Sequence, residues 1–434
     1  MIGSSLDKAS RLLVEASSGK LKPSLTIQNV NLVNVYSGEI LENVEIHMVG
    51  DRVFHVDHAD SSLPLKAEKV LDGKGFYALP GLIDSHTHID VYATPIEYGF
   101  QALLHGTTTL ITEPDEFVSA LGFKGLKFFR KLVRASPARI YLLVPVIPLD
   151  RRLEGSVGLN LKETSEALDW KEVLGLGEVA AWSRLLAGDN HPLNVIKLAL
   201  KKGKLVEGHT AGAKGFKLSA CVSAGLSSCH ESISFEQALE RIRKGVFTML
   251  REGSIRRDLA QIIPQLLSKK ISLENVALVS DSMYPDDLEE KGHMDWIIRQ
   301  ALELGVDPIK AVQMATLNPA RHFHLEMEVG GIAPARYADI VLTRSLENFK
   351  VETVICGGKV AVKEGKLLVE RPSIAYPRSM LRTVKLRGRL SPDFFKVKAG
   401  RKAGHVKVRV IRLLNETITE PVFLQLPVIQ GEVR

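Results

Sequence analysis

"PGLIDSHTHID", residues 80–90, is an apolar run that ends in two histidines, His86 and His88, one residue apart. Its composition reads as a strand. Side chains alternate along a strand, so both imidazoles face the same way. Alone, the pair is equally consistent with two histidines satisfied by local hydrogen bonds. The organisation of the rest of the chain decides between the two readings.

From about residue 79 to 328, short apolar runs such as "TTTLIT", "ARIYLLVPV", "VLGLGEV", "KLVEGHT" and "NVALVSD" alternate with helical patterns such as "SFEQALERIRKGVFTMLREG". Strand followed by helix, repeated, predicts a parallel α/β barrel of the TIM type. Residues 1–78 precede it with a short amphipathic helix and alternating β segments ("LTIQNVNLVNV", "NVEIHMVGDRVFHVD"). Residues 329–370 return to β character ("GGIAPARYADIVLT", "ETVICGGKVAVKEGKLL"). Neither piece has enough apolar surface for its own core, so the two are expected to join. Residues 371–434 form a basic third piece.

In a parallel barrel the C-terminal end of every strand opens onto one mouth. His86 and His88 therefore reach it, and other runs end in the same kinds of residue: Glu178 closes "VLGLGEV", His209 follows "KLVEG", His230 lies in "SSCHES", and Asp281 follows "NVALVS". Four imidazoles and two carboxylates around one mouth suit one or two divalent ions with N and O donors, a carboxylate bridging if there are two. Buried charges in this number need a cation. A divalent ion lowers the pKa of water towards ~7, and a nearby carboxylate can move the protons. Asp281 is the candidate for that shuttle, and hydrolysis at an sp² carbon is the expected chemistry.

Composition bounds the alternatives. The chain has 434 residues, 45% hydrophobic and 25% charged, as in a globular protein of two or three units. No window reaches the ~18 apolar residues of a spanning helix, and the N-terminus lacks an apolar signal core; a cytoplasmic protein without a membrane partner is expected. Three cysteines, Cys221, Cys229 and Cys356, form no CxxC pair and fit a reducing compartment as core fillers. The net charge of +7 belongs to the tail: from Arg371 onward, 14 Lys/Arg face 4 Asp/Glu, and residues 1–370 carry −3. A basic nucleic-acid groove on the body is not implied.

The segments "PGLIDSHTHID", "HGTTTLITEPDE", "GLGEVAAWSRLLAGD", "EGHTAG", "CHESISFEQALERIRKGVFTMLREGS", "PDDLEEKGHMDWIIRQALELGVDPIKAVQMATLNPARHF" and "GGIAPARYADIVL" together resemble the adenine deaminase branch of the metal-dependent amidohydrolase superfamily, in order and over nearly the whole chain. The resemblance implies a (β/α)8 barrel flanked by a β-sandwich of N- and C-terminal segments. It also implies hydrolysis of adenine to hypoxanthine and ammonia at a divalent centre, two ions per subunit, manganese foremost and iron or zinc next. Its metal pattern falls on His86, His88, a bridging Glu178, His209, His230 and Asp281, and its substrate-contacting glutamate on Glu231, suited to protonate a ring nitrogen. A small-molecule substrate and a homodimer follow from the same likeness. The tail resembles the opening of the family's C-terminal domain, which normally runs on beyond the point where this chain ends.

Two segments depart from the family pattern. Where it reads D-P-H-E, this chain has "EPDE", with Asp115 in place of the histidine; where it reads T-D-D-R-H-P-D-D-L, this chain has "SDSMYPDDL", with Ser282 for an aspartate. The metal set is spared while Asp115, Glu116 and Ser282, the expected substrate contacts, sit in changed surroundings. A site built for one polar edge rejects analogues by up to about 10⁴–10⁵. A different amino-heterocycle or a cyclic amide is therefore the first rival substrate, and a non-catalytic binding protein on the same scaffold the second rival class. His105 reads equally as a structural hydrogen-bonder or a site residue. His293, His322 and His324, in helical or post-helical context, are expected to be solvated.

Overall fold

A computed structural model describes residues 6–58, 66–148, 154–383, 386, 388–413 and 419–434. The chain divides into two compact units, Met1–Ala375 and Tyr376–Arg434. The first opens with a helix, Leu6–Ser17, whose Ala9, Leu13 and Ala16 pack on Val49 and Phe54. Five strands follow: β1 (Leu25–Asn34), β2 (Glu39–Val49), β3 (Arg52–His58), β4 (Val70–Asp72) and β5 (Tyr77–Pro80).

Eight parallel strands then build the barrel: β6 (Leu82–Thr87), β7 (Thr107–Thr112), β8 (Arg139–Val144), β9 (Val173–Val179), β10 (Leu205–Gly208), β11 (Ser228–Cys229), β12 (Phe247–Arg251) and β13 (Val276–Val279). Each is followed by a helix, from Pro95–Leu104 after β6 to Pro285–Glu290 and then Met294–Glu303 after β13. β6 to β10 form one hydrogen-bonded sheet and β11 to β13 another. The Ser227 N–H donates to the Val206 carbonyl at 2.9 Å across the first seam. Across the second, Thr87 bridges Asp281 in the parallel sense. The Asp281 N–H donates to His86 O at 3.0 Å, and the His88 N–H to Asp281 O at 2.8 Å.

The sequence supports this closure because β7, β8 and β13 are buried along their whole length, as strands covered on both faces must be. Ile83, Ile111, Leu143, Met249 and Val279 pack with Phe323 and Leu325 in one cluster, while Leu82, Leu110 and Leu142 join the larger cluster that includes the surrounding helices.

The C-terminal part of the first unit supplies β14 (Ile340–Thr343), β15 (Thr353–Cys356), β16 (Lys359–Lys363) and β17 (Lys366–Leu367). These join the N-terminal strands in one nine-stranded sheet through antiparallel pairing of β14 with β5. The second unit is an antiparallel sheet of β18 (Ala403–Leu413), β19 (Thr419–Ile429) and β20 (Glu432–Val433). Within the tail stretch "HVKVRVIRLLNETITE", residues 414–418 lie outside the described residues. No helix among the described residues is long and apolar enough to cross a membrane. The three cysteines are free and buried.

Simple alternation along β6 does not by itself explain where His86 points. Leu82 packs with the helix cluster, and Asp84 contacts His293 at the start of the helix after β13; strict alternation would send His86 the same way. The register breaks between Asp84 and Thr87: Asp84 pairs with Leu110 and Thr87 with Thr112, so three steps of β6 match two of β7. This bulge turns the imidazole towards the mouth, a common use of bulges beside sites. β9 repeats the device, matching Leu176 to Val179 against Val206 to Gly208 over the stretch that holds Glu178.

Candidate metal centre and its surroundings

Six side chains from the ends of five barrel strands, β6, β9, β10, β11 and β13, meet at the mouth. Glu178 is their hub. Its Oε1 lies 3.2 Å from His86 Nε2, 3.1 Å from His88 Nε2 and 3.2 Å from His230 Nε2, while Oε2 lies 2.5 Å from His209 Nδ1. Asp281 Oδ1 stands 3.5 Å from His86 Nε2 and 3.6 Å from His88 Nε2. The expected ligand residues are thus all brought together.

The donor set fits a divalent ion on two counts. His86 Nε2 and His209 Nδ1 are buried and close to carboxylate oxygens, yet among the described residues the geometry gives neither a hydrogen bond. In addition, the donor atoms of His86, Glu178, His230 and Asp281 lie within 4.8 Å of one another, as do those of His209, His230 and Glu231. Ligands at ~2.0–2.2 Å from one ion are separated by about that much.

Charge and burial set the protonation pattern of the protein groups alone. Burial would lower His86, but Asp281 and Glu178 reverse this and hold it up at about 10. His230 stacks on His86 with ring centroids 3.8 Å apart, and burial with that neighbour pushes it down to about 4. Two stacked imidazoles do not both carry a proton. His209 is likewise held up at about 9, burial being outweighed by Glu178. Glu178 and Asp281 resist the upward push of burial because the imidazoles hold both below the usual carboxylate range.

Asp281 sits at φ +61°, a left-handed conformation that is uncommon outside glycine and concentrates at functional sites. The backbone bonds to His86 and His88 hold it there. Its Oδ2 accepts from Arg251 Nη1 at 3.2 Å. Arg251, at the end of β12 and almost fully buried, also donates to Glu231 and, through Nε, to Asp258 at 2.9 Å. Glu231 stands 3.6 Å from His230 Nε2. Burial would raise Glu231, but His230, His209 and Arg251 hold it below the usual range. A reading that seeks only metal-ligand types misses Arg251, although it ends its strand close to the mouth, as His86 stands one residue before the end of β6.

The expected substrate contacts fall in different places. Asp115 lies against the histidine cluster, its Oδ2 3.3 Å from His88 Nδ1. Glu116 is exposed on the first turn of the helix Asp115–Ala135, and its backbone N–H donates to Asp90 Oδ2 at 3.0 Å. Burial and the nearby Asp115 push Asp90 up to about 7. Ser282 is buried, and its carbonyl accepts from the Ser254 N–H at 2.9 Å, which ties the loop after β13 to the loop after β12.

Two expectations are corrected. His293 is buried and His322 half-buried, neither of them solvated: His293 meets Thr107 Oγ1 at 2.8 Å, Tyr98 Oη at 3.1 Å and Asp84 Oδ2 at 3.1 Å. His322 stacks on Phe247 at 4.2 Å and reaches Glu207 at 3.0 Å. Helical context conceals such burial, because the partners come from distant strands. His324 is exposed, as expected, and His105 meets Asp295 at 3.4 Å.

Comparison with known proteins agrees with this geometry. Residues 77–361 match the amidohydrolase family. The chain is 39% identical over 429 residues to an adenine deaminase of Cenarchaeum symbiosum, covering 99% of this chain and 70% of that protein. It is 33% identical to an adenine deaminase of Moorella thermoacetica, over 99% of this chain and 72% of that one. Among solved structures, a beta-aspartyl dipeptidase from Fervidobacterium islandicum superposes with a TM-score of 0.61 at 20% identity, covering 81% of this chain and all of that one. That structure shares the fold.

Proposed function

The chain belongs to the amidohydrolase family, and we infer that it hydrolyses adenine to hypoxanthine and ammonia with the help of bound divalent metal. Similarity over almost the whole chain to proteins named adenine deaminase supports the substrate. The chemistry is carried by one observation: Glu178 gathers three imidazoles on one oxygen and a fourth on the other.

His86, His88, His209, His230, Glu178 and Asp281 would hold the divalent metal, two ions per chain, manganese before iron or zinc, since all three accept N and O donors. A divalent ion, when bound there, supplies a nucleophile at neutral pH by lowering the pKa of water to about 7. The protein's carboxylates handle the protons. Glu231, kept ionised by Arg251 and its neighbouring histidines, accepts one proton of the attacking water and hands it to N1 of the ring as the oxygen bonds to C6. Asp281 takes the second and delivers it to the amino nitrogen, the C6–N bond breaks, and ammonia leaves. Both water protons are then accounted for. Arg251 touches both carriers and fixes their spacing.

The nine-stranded sheet is taken as a β-sandwich folded around Ile27, Ile46, Val53, Ile340 and Ile355, which share one apolar cluster. Its role is to anchor β6 through β5. The basic excess lies in residues 371–434, whereas residues 1–370 carry −3, which favours a small-molecule substrate over nucleic acid.

Metal-reconstituted protein, assayed for ammonia and hypoxanthine from adenine, tests the reading. A panel of other purines, pyrimidines and cyclic amides runs beside it. Adenine turnover at ~1–10³ s⁻¹ is expected; ring opening of a cyclic amide without ammonia from adenine would overturn it.

A further inference from the structure

Glu113 lies directly after β7, beside the strand that carries His86 and His88, and its side chain is buried. One oxygen, Oε2, accepts the Glu178 N–H at 2.7 Å. The other, Oε1, is buried and has no hydrogen-bond partner among the described residues. A carboxylate oxygen left in that condition is costly unless something positive meets it. A Glu113 oxygen and the donor atoms of His86, His88 and Glu178 all lie within 4.8 Å of one another. Donors ~2.0–2.2 Å from a common ion are up to about 4.4 Å apart, so small shifts close this set onto one ion. Space has been made for the arrangement at position 177, where a β-carbon would overlap the Glu113 carboxylate. Only glycine lets it reach between β7 and β9.

We propose that Glu113 is a further metal ligand, holding the ion on the His86–His88 side together with Glu178. The inference rests on the metal-centre reading above. Glu113 then has two separable tasks: Oε2 straps the backbone of Glu178, and Oε1 contributes negative charge to the ion. The side-chain oxygen of glutamine can keep the strap while its amide nitrogen, a donor, cannot ligate. Glu113→Gln therefore separates the two tasks.

The test is titration of chelator-stripped protein with Mn²⁺, read by calorimetry and by metal content after gel filtration, with circular dichroism as the check on folding. Glu113→Gln is expected to fold as the wild type does and to lose one ion per chain or at least about tenfold in Mn²⁺ affinity, the loss seen when even an outer partner of a ligand is removed. Mn²⁺ should also raise its melting temperature less than that of the wild type. Identical stoichiometry and affinity in the two proteins would overturn the inference and leave the metal centre standing, whereas a wild type that takes up no Mn²⁺ would bring down both. If Glu113→Gln does not fold, Glu113→Asp, which keeps the charge but withdraws it by one methylene, carries the same test: weakened binding supports the ligand role, and unchanged binding refutes it.

Discussion

The two ends of the barrel treat buried charge in opposite ways. At the floor, Arg139 at the start of β8 meets Asp339 at 3.2 Å and lies over the Tyr337 ring at 3.6 Å, while Arg52 covers the same ring at 4.0 Å and reaches Glu328 at 2.6 Å. Each cation there has an anion. At the mouth, Glu113, Asp115, Glu178, Glu231 and Asp281 crowd together with Arg251 and four histidines, two of which stack on each other. The floor is neutralised by its own side chains and the mouth is not. Charge held in a fold without internal compensation marks where a ligand supplies it.

The contrast is broken most severely at the mouth. Asp281→Asn should lower kcat for ammonia release by about 10²–10⁴-fold, the usual worth of a positioned proton carrier, while metal analysis still finds ions on the other ligands. Turnover near wild type would remove Asp281 from the proton path. At the floor, Asp339→Ala should leave Arg139 buried without its anion and cost about 3–5 kcal/mol in urea unfolding, with Mn²⁺ affinity per folded molecule unchanged. A fall in affinity there would mean that the two ends are not independent.

Smaller changes sharpen the comparison. Asp115→Asn weakens the acceptor beside His88 Nδ1, and an outer partner of this kind is worth about 10–100-fold in metal affinity or activity; Mn²⁺ titration of the variant measures it. The smallest effect concerns pH. Glu252, just past β12, is pushed up to about 7 by burial, with Arg257 opposing. Its folded pKa exceeds the ordinary 4.5, so its contribution to stability is present in full below about pH 4.5 and is lost as pH rises through about 7. Glu252→Gln should flatten that slope, by on the order of 1 kcal/mol, in melting curves between pH 4.5 and 8.

The barrel was legible because its strands are short, almost wholly apolar runs between helices, and the ligand types were legible because they end those runs. His86, Glu178, His209, His230 and Asp281 need no more than that rule. What could not be read is register. The extra residues in β6 and β9 that turn His86 and Glu178 inward depend on how neighbouring strands pair, and nothing in "LIDSHT" or "VLGLGEV" announces them. Glu113 was passed over for the same reason: Asp115 and Glu116 stand nearby in the sequence, and only the glycine at 177, on another strand, selects among the three. Arg251 was hidden differently, since an arginine ending a strand gives no sign that three carboxylates from other segments surround it.

The seam between β13 and β6 also bears on biogenesis. Asp84 and Ser280, hydrogen-bonded across it, are 196 residues apart in sequence, and the backbone bonds of Asp281 to His86 and His88 complete both the cylinder and the ligand cluster. A nascent chain that has exposed only its first strands carries two histidines and no competent chelate. Such long-range closure comes late in folding, so under the proposed function an ion would be captured only once the ring is whole. Loss of the ion would then report an opened seam before any helix had melted.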